Sequence, residues 1–318
     1  MSRLLITGAN GFVGQALSRA LLDGGHTVTG LLRQRGSALD GVNELVDASA
    51  DFADLDTVWP AELRPDCVVH LAARVHVMRD ASADPDAAFR QTNVDGSLRV
   101  ARAAQRNGVR RFVFVSSVKA MAEIDVGRPL REEDPPAPQD PYGRSKLAAE
   151  EALTRYGQET GLEIVIVRPP LVYGPHVRAN FLRLMDALWK GMPLPLAAIC
   201  ARRSLVYVDN LADALVHCAT DPRAARQCFL VADSDAPTVA ELARSLGRDL
   251  GKPARLLPVP PGWLRVAGMV TGRSAYVDRL VGPLQVDTAR IRAELNWRPP
   301  FSTEDGLAAT ARWYRSTH

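Results

Sequence analysis

An apolar run, Leu4-Leu5-Ile6-Thr7, passes without a break into Gly8-Ala9-Asn10-Gly11-Phe12-Val13-Gly14 and from there into a helical pattern. Few folds accommodate that order. The first glycine can take a tight turn, the second lets backbone approach a pyrophosphate, and the third lets a helix pack closely on its strand. The unpaired N–H groups and dipole of the helix N-terminus favour an anion. Gly8, Asn10, Gly11, Phe12, Val13 and Gly14 are therefore candidate ligands of a dinucleotide cofactor.

The alternation continues through the first half of the chain. Residues 4–7, 27–32, 66–71, 111–116 and 163–167 read as strands, and 13–22, 88–107 and 142–160 as helices. Strands interleaved with amphipathic helices predict α/β architecture with a doubly wound parallel sheet. Past Arg168 the character changes, with prolines clustered in RPPLVYGP, GMPLPL, RLLPVPPGW and NWRPPF. This predicts a dinucleotide-binding domain at 1–168 and a smaller C-terminal substrate-binding lobe at 169–318, with 204–221 packing back on the first domain.

The charge balance, 39 basic against 36 acidic residues spread along 318, argues against a nucleic-acid partner. Cys67, Cys200, Cys218 and Cys228 show neither CxxC pairing nor histidine partners at ligand spacing, so no metal site is expected and the thiols read as those of a reducing, cytoplasmic setting. The N-terminus has no signal-peptide pattern, and no run approaches the roughly 20 apolar residues of a membrane helix. No membrane partner is expected.

A second strand that serves NAD usually ends in a carboxylate, which accepts hydrogen bonds from the adenosine ribose. Here it ends Leu31-Leu32-Arg33-Gln34-Arg35. A guanidinium can bind a 2′-phosphate that a carboxylate would repel. The reading is NADP rather than NAD, with Arg33 as phosphate ligand and Arg35 as a second; the alternative is a pair of solvated loop arginines.

Tyr142-Gly143-Arg144-Ser145-Lys146 places a phenol and an ammonium at i and i+4, on one helix face. A phenol near pH 10 is a poor base at neutrality, and a neighbouring cation stabilises its phenolate. Lys146 can also reach ribose hydroxyls. Ser117, at the end of the strand-like run FVFV, falls on the sheet edge where doubly wound folds bind ligands. Ser117, Tyr142 and Lys146 are the candidate catalytic set for moving a proton on a carbinol or carbonyl oxygen while hydride moves at its carbon.

At this point the chain resembles the extended short-chain dehydrogenases, the nucleotide-sugar epimerase/dehydratase family. TGANGFVG, HLAA, TNVDG, VSS, YGRSK, RPPLVYGP and SLVYVDNLADAL match in order and span essentially the whole chain. The resemblance implies a Rossmann sheet, a C-terminal substrate lobe and a homodimer. It implies further cofactor-lining positions at Asp51, Phe52, Leu71, Ala72, Ala73, Asn93 and Pro169, and nucleotide-diphosphate contacts from Asn180, Arg203 and Arg279.

Departures from the family narrow the reaction. The 4,6-dehydratases carry an Asp-Glu pair where this chain has Val118-Lys119, so dehydration is not expected. The GDP-fucose-type epimerases place a cysteine where Val118 stands, although His176 follows the YGP. HLAARVHVM, RANFLRLM and GPLQVD resemble the bacterial UDP-N-acetyl-hexulosamine 4-reductases of surface-polysaccharide synthesis. The expectation is reduction of a UDP-4-keto-hexose at C4. A UDP-hexose 4-epimerase with the same triad is the alternative, and a non-catalytic NADP-sensing regulatory protein is the alternative of another class.

Overall fold

The computed structural model of the chain describes residues 1–75, 84–272 and 274–318. Seven strands form one parallel sheet: β1 (Arg3–Thr7), β2 (Thr27–Leu32), β3 (Asn43–Val46), β4 (Cys67–His70), β5 (Arg111–Val115), β6 (Glu163–Arg168) and β9 (Cys228–Leu230), in the order β3-β2-β1-β4-β5-β6-β9. β7 (Leu171–Tyr173) and β8 (Leu205–Tyr207) pair separately. The helices are α1 (Phe12–Asp23), α2 (Leu55–Val58), α3 (Pro85–Arg90), α4 (Ser97–Arg106), α5 (Pro141–Thr160), α6 (Ala179–Trp189), α7 (Val208–Thr220), α8 (Val239–Asp249), α9 (Pro261–Val270), α10 (Ser274–Val281), α11 (Ala289–Leu295) and α12 (Thr303–Thr317). This is the expected doubly wound α/β sheet.

Side chains alternate across a strand, so a sheet buried on both faces needs continuous apolar runs. LLI, CVV, RFVFV and EIVIV supply them. Leu4, Ile6, Val69, Val113 and Val165 pack against α1 and α7 through Leu17, Leu21, Leu211 and Leu215. Leu5, Val68, Phe112, Phe114 and Ile164 face the other way, onto Val100 and Ala104 of α4 and Leu153 of α5. The first of these cores runs on without a break into Tyr173, Phe181, Leu205 and Tyr314.

Two departures from the sequence reading bear on the site. The helix expected at 88–107 is α3 and α4 separated by a π-helical segment, Gln91–Gly96, which carries Asn93. The last strand of the sheet, β9, comes from beyond residue 168. Helix α7, Val208–Thr220, lies within the stretch expected at 204–221 and packs along α1 as expected. No helix among the described residues is long and apolar enough to cross a membrane.

Candidate active site

The glycine turn closes as its residue types require. Gly8 has φ +70°, and its carbonyl accepts from the Gly11 amide at 2.9 Å. A Cβ on Gly14 would sit 2.1 Å from that same carbonyl oxygen, so only glycine lets α1 seat on β1. α1 starts at Gly11 with no side-chain cap, which leaves the N–H groups around Phe12 and Val13 available to an anion. This cradle fits a dinucleotide pyrophosphate.

Beside it, the loop after β4 is tied down from beneath. The amides of Leu71 and Ala72 both donate to Thr7 Oγ1 at 3.1 Å. Thr7 Oγ1 must then give its own proton to His70 Nδ1, 2.8 Å away. His70 Nε2–H therefore donates to Ser97 Oγ at 3.0 Å, and Ser97 Oγ donates to the Asn93 carbonyl at 2.6 Å. Burial, with the nearby Lys146 charge adding to it, pushes the His70 pKa down to about 3, which keeps the ring neutral. Asn93 holds Arg74 by two backbone hydrogen bonds, at 2.8 and 3.1 Å, and donates to Ser145 Oγ at 2.9 Å. Ala73 lies between these anchors. Thr7, His70, Ser97 and Ser145 are positioning residues absent from the sequence reading. The TNVDGS stretch carries the Asn93–Ser97 pair, but only the π-turn brings it under β4.

On the adenosine side, Arg33 is exposed at the end of β2. The loop after it is organised by Glu44, which accepts from the amides of Gly36, Ser37 and Ala38 at 2.9, 3.1 and 3.1 Å. Those amides, Gly36 foremost, hold the Glu44 carboxyl below its usual range. Asn10 donates to Ser37 Oγ at 3.3 Å, joining this loop to the glycine turn. Asp51 and Phe52 have φ +51° and +63°, a conformation costly for residues with a Cβ. The Asp51 carboxylate takes a hydrogen bond from Gln91 at 2.9 Å, and Phe52 meets His70 edge-on.

The proposed catalytic groups converge at the C-terminal end of β5. Ser116 points inward, its buried Oγ without a partner among the described residues, while Ser117 caps a short 3-10 turn, Val118–Ala120, by accepting from the Lys119 amide at 3.2 Å. The Val118 amide donates to the Pro169 carbonyl at 2.9 Å, which ties this turn to the end of β6. Tyr142 is hydrogen-bonded to Ser117. Burial, then the Asp140 charge, raise the Tyr142 pKa to about 12, and only the Ser117 hydrogen bond pulls it down. Lys146 is 2% exposed; its Nζ donates to the Val115 carbonyl at 2.8 Å and lies 6.0 Å from the Tyr142 ring centroid. Burial, against the pull of Glu150, brings Lys146 down to about 7.

Two further residues place the phenol. Asp140 caps α5, accepting from the Gly143 amide at 2.7 Å, with Pro141 at the first helical position. The Asp-Pro start was readable as a helix N-terminus. Gly143 has a stricter role, because a Cβ there would lie 2.4 Å from the Lys119 carbonyl oxygen. Its absence lets the head of α5 press against the Ser117 turn.

The substrate-side candidates are partly engaged already. Arg203 donates through Nη1 to the carbonyls of Arg279 and Gly282, both at 2.6 Å, and so fixes the end of α10. Burial draws its pKa down, against Glu123 and Asp125. Arg279 Nε pairs with Glu123 at 3.2 Å. Asn180 stands exposed in the first turn of α6, just after Ala179 at φ +57°. Among the described residues no group of three histidine, cysteine or carboxylate side chains could hold a metal ion, and the four cysteines are free.

Comparison with known proteins gives a consistent result. The profile of the NAD dependent epimerase/dehydratase family matches residues 4–232. A UDP-glucose 4-epimerase of Vibrio cholerae is 41% identical over 97% of this chain and 94% of its own. The structure of the Thermus thermophilus UDP-glucose 4-epimerase in complex with NAD superposes with a TM-score of 0.79, at 25% identity, covering 99% of this chain and 100% of that one. That of the Thermotoga maritima UDP-glucose 4-epimerase superposes with a TM-score of 0.80 at 23% identity, covering 99% of each.

Proposed function

As the chain belongs to the NAD dependent epimerase/dehydratase family of nucleotide-sugar enzymes, we propose that it moves hydride at C4 of a UDP-hexose, with Tyr142 as the proton-transfer group. The observation that carries this reading is the convergence of Ser117, Tyr142 and Lys146 at one strand end beside the pyrophosphate cradle. A bound nicotinamide supplies the hydride acceptor or donor. Ser117 hydrogen-bonds the C4 oxygen and orients it. Tyr142 takes the proton from that oxygen as the carbinol becomes a ketone, or returns it as the ketone is reduced. Lys146 holds ribose hydroxyls and, when protonated, counters part of the burial that raises the Tyr142 phenol. Residues 1–168 serve the dinucleotide and 169–318 the substrate, where Arg203 and Arg279, with Asn180 at the head of α6, meet the diphosphate. A homodimer in a cytoplasmic setting completes the reading.

Two courses share this chemistry. In the first, the ketone is reduced again on its other face, giving the C4 epimer; the Vibrio cholerae relative supports 4-epimerisation over the reduction expected from sequence alone. In the second, reduction is a net reaction. Arg33, exposed where NAD enzymes usually carry an acid, supports that course, because it favours NADP and an exchangeable reductant. The named relative bound to NAD supports NAD instead. Incubation with UDP-glucose and UDP-N-acetylglucosamine tests the first course, which requires the C4 epimer to form with no net change in cofactor. Incubation with a UDP-4-keto-hexose and NADPH tests the second, which requires stoichiometric NADPH consumption. No turnover in either assay would leave the non-catalytic reading.

A further inference from the structure

The carboxylate at the head of α5 poses a problem that a side chain outside the catalytic set eases. Asp140 must be ionised to serve well as the cap for the Gly143 amide. It also lies two residues from Tyr142, where a negative charge opposes formation of the phenolate. Lys119 Nζ sits 2.5 Å from Asp140 Oδ2, with less than a quarter of either side chain exposed. The same ammonium is 3.3 Å from Glu123, whose other oxygen receives Arg279. The backbone of Lys119 is fixed as well, since its amide donates to Ser117 Oγ and its carbonyl abuts Gly143. One residue thus touches the serine, the head of the tyrosine's helix and its cap.

We propose that Lys119 is a positioning residue that offsets part of the charge of the Asp140 cap, so that α5 keeps its charged cap while that charge opposes ionisation of the Tyr142 phenol less than it would alone. This rests on the proposed role of Tyr142 but concerns its environment.

Among the described residues, these charged groups surround the phenol. From its own helix come Asp140 and Lys146; from the segment after β5 come Lys119 and Glu123, the latter against Arg279. From α3, the group that meets Tyr142 is the Phe89 ring, with the Arg74 guanidinium over that ring, while Asp86 is held by Arg144. Asp140 remains below its usual range although burial works against it, because Lys119 and the Gly143 amide outweigh the burial. A carboxylate with no counter-charge at this depth would act on Tyr142 with little screening.

The test is ultraviolet titration of phenolate absorbance in the full-length protein, taking the difference between each variant and the same variant carrying Tyr142→Phe. That difference isolates one of six tyrosines and needs no substrate. Lys119→Met should raise the Tyr142 midpoint, read as a roughly tenfold loss of its phenolate absorbance at a fixed pH below the parent midpoint of about 12, the scale of one lost counter-charge. Lys119→Arg should restore it, and Asp140→Asn should lower it below that of the parent. The double variant Lys119→Met with Asp140→Asn should lie below Lys119→Met alone. The Tyr142 limb of the pH–turnover profile should move the same way in either direction of hydride transfer. A Lys119→Met midpoint equal to the parent's, or Lys119→Met and Asp140→Asn moving it in the same direction, would overturn the proposal. If Tyr142→Phe retains turnover, the catalytic reading fails while the midpoints still decide this one.

Discussion

Arg33 and Arg203 differ in how much of their surroundings the sequence discloses. The Arg33 proposal rests on a local fact, a cation in place of an acid at the end of the second strand. The expected outcome is that Arg33→Ala loses about 1.5–3 kcal/mol of NADP affinity, the scale of a charged hydrogen bond, with NAD affinity unchanged. Calorimetric titration of both cofactors into the apo protein checks it, and tighter NAD binding unaffected by the substitution would contradict it. The sequence offered Arg203 only as a candidate diphosphate contact. Its bonds to the Arg279 and Gly282 carbonyls come from residues far along the chain, and no local pattern announces them. Arg203→Ala should weaken UDP binding by roughly 2–5 kcal/mol, the cost of truncating one member of a desolvated charge pair, with little change in NADP affinity. Calorimetry with UDP alone decides it. The convergence of Ser117, Tyr142 and Lys146 was readable because helix spacing and a strand end are local facts; the Glu123–Arg279 pair was not, because it joins segments distant in sequence.

At the scale of elements, α5 is set by what it lacks. Gly143→Ala puts a methyl group where the Lys119 carbonyl oxygen stands, so the head of the helix must move away from the Ser117 turn. Overpacking of this kind costs about 1–3 kcal/mol, and a misplacement near 1 Å can cost about 10²-fold in rate. The expected result is a large fall in turnover with cofactor affinity nearly kept, measured by steady-state kinetics beside cofactor titration. Periodicity located α5 and α4 but ran straight through 91–96, because a π-turn adds one residue to the ladder without changing composition. Edge strand β3 escaped for the opposite reason: NELV is short and half exposed, with no apolar run to mark it.

For the whole molecule, one core joins the sheet to residues from β7 through α12, and the buried network under β4 sits inside that fold. Unfolded, His70 titrates near 6.5; folded, burial holds it near 3. Below 6.5 the unfolded chain takes up a proton that the folded state refuses, so the contribution of His70 is fully present above 6.5 and is lost as pH falls towards 3. Each pH unit in that window is worth up to about 1.4 kcal/mol for one fully shifted group. Denaturant unfolding between pH 3 and 7 should therefore show a steeper loss in the parent than in His70→Gln; parallel curves would mean that His70 is not held neutral. The doubly wound architecture was readable from alternating runs, whereas the continuity of its core, built from β7, α6 and α12 against α1 and α7, was not, since proline-broken segments carry little periodicity. What decides the chemistry is conversion of a UDP-hexose by the parent and by Tyr142→Phe, with cofactor affinity measured on the same preparations. Turnover at C4 that falls by about 10²-fold or more in the variant, with cofactor binding intact, is the expected result; near-parental turnover in Tyr142→Phe would place the proton-transfer group elsewhere.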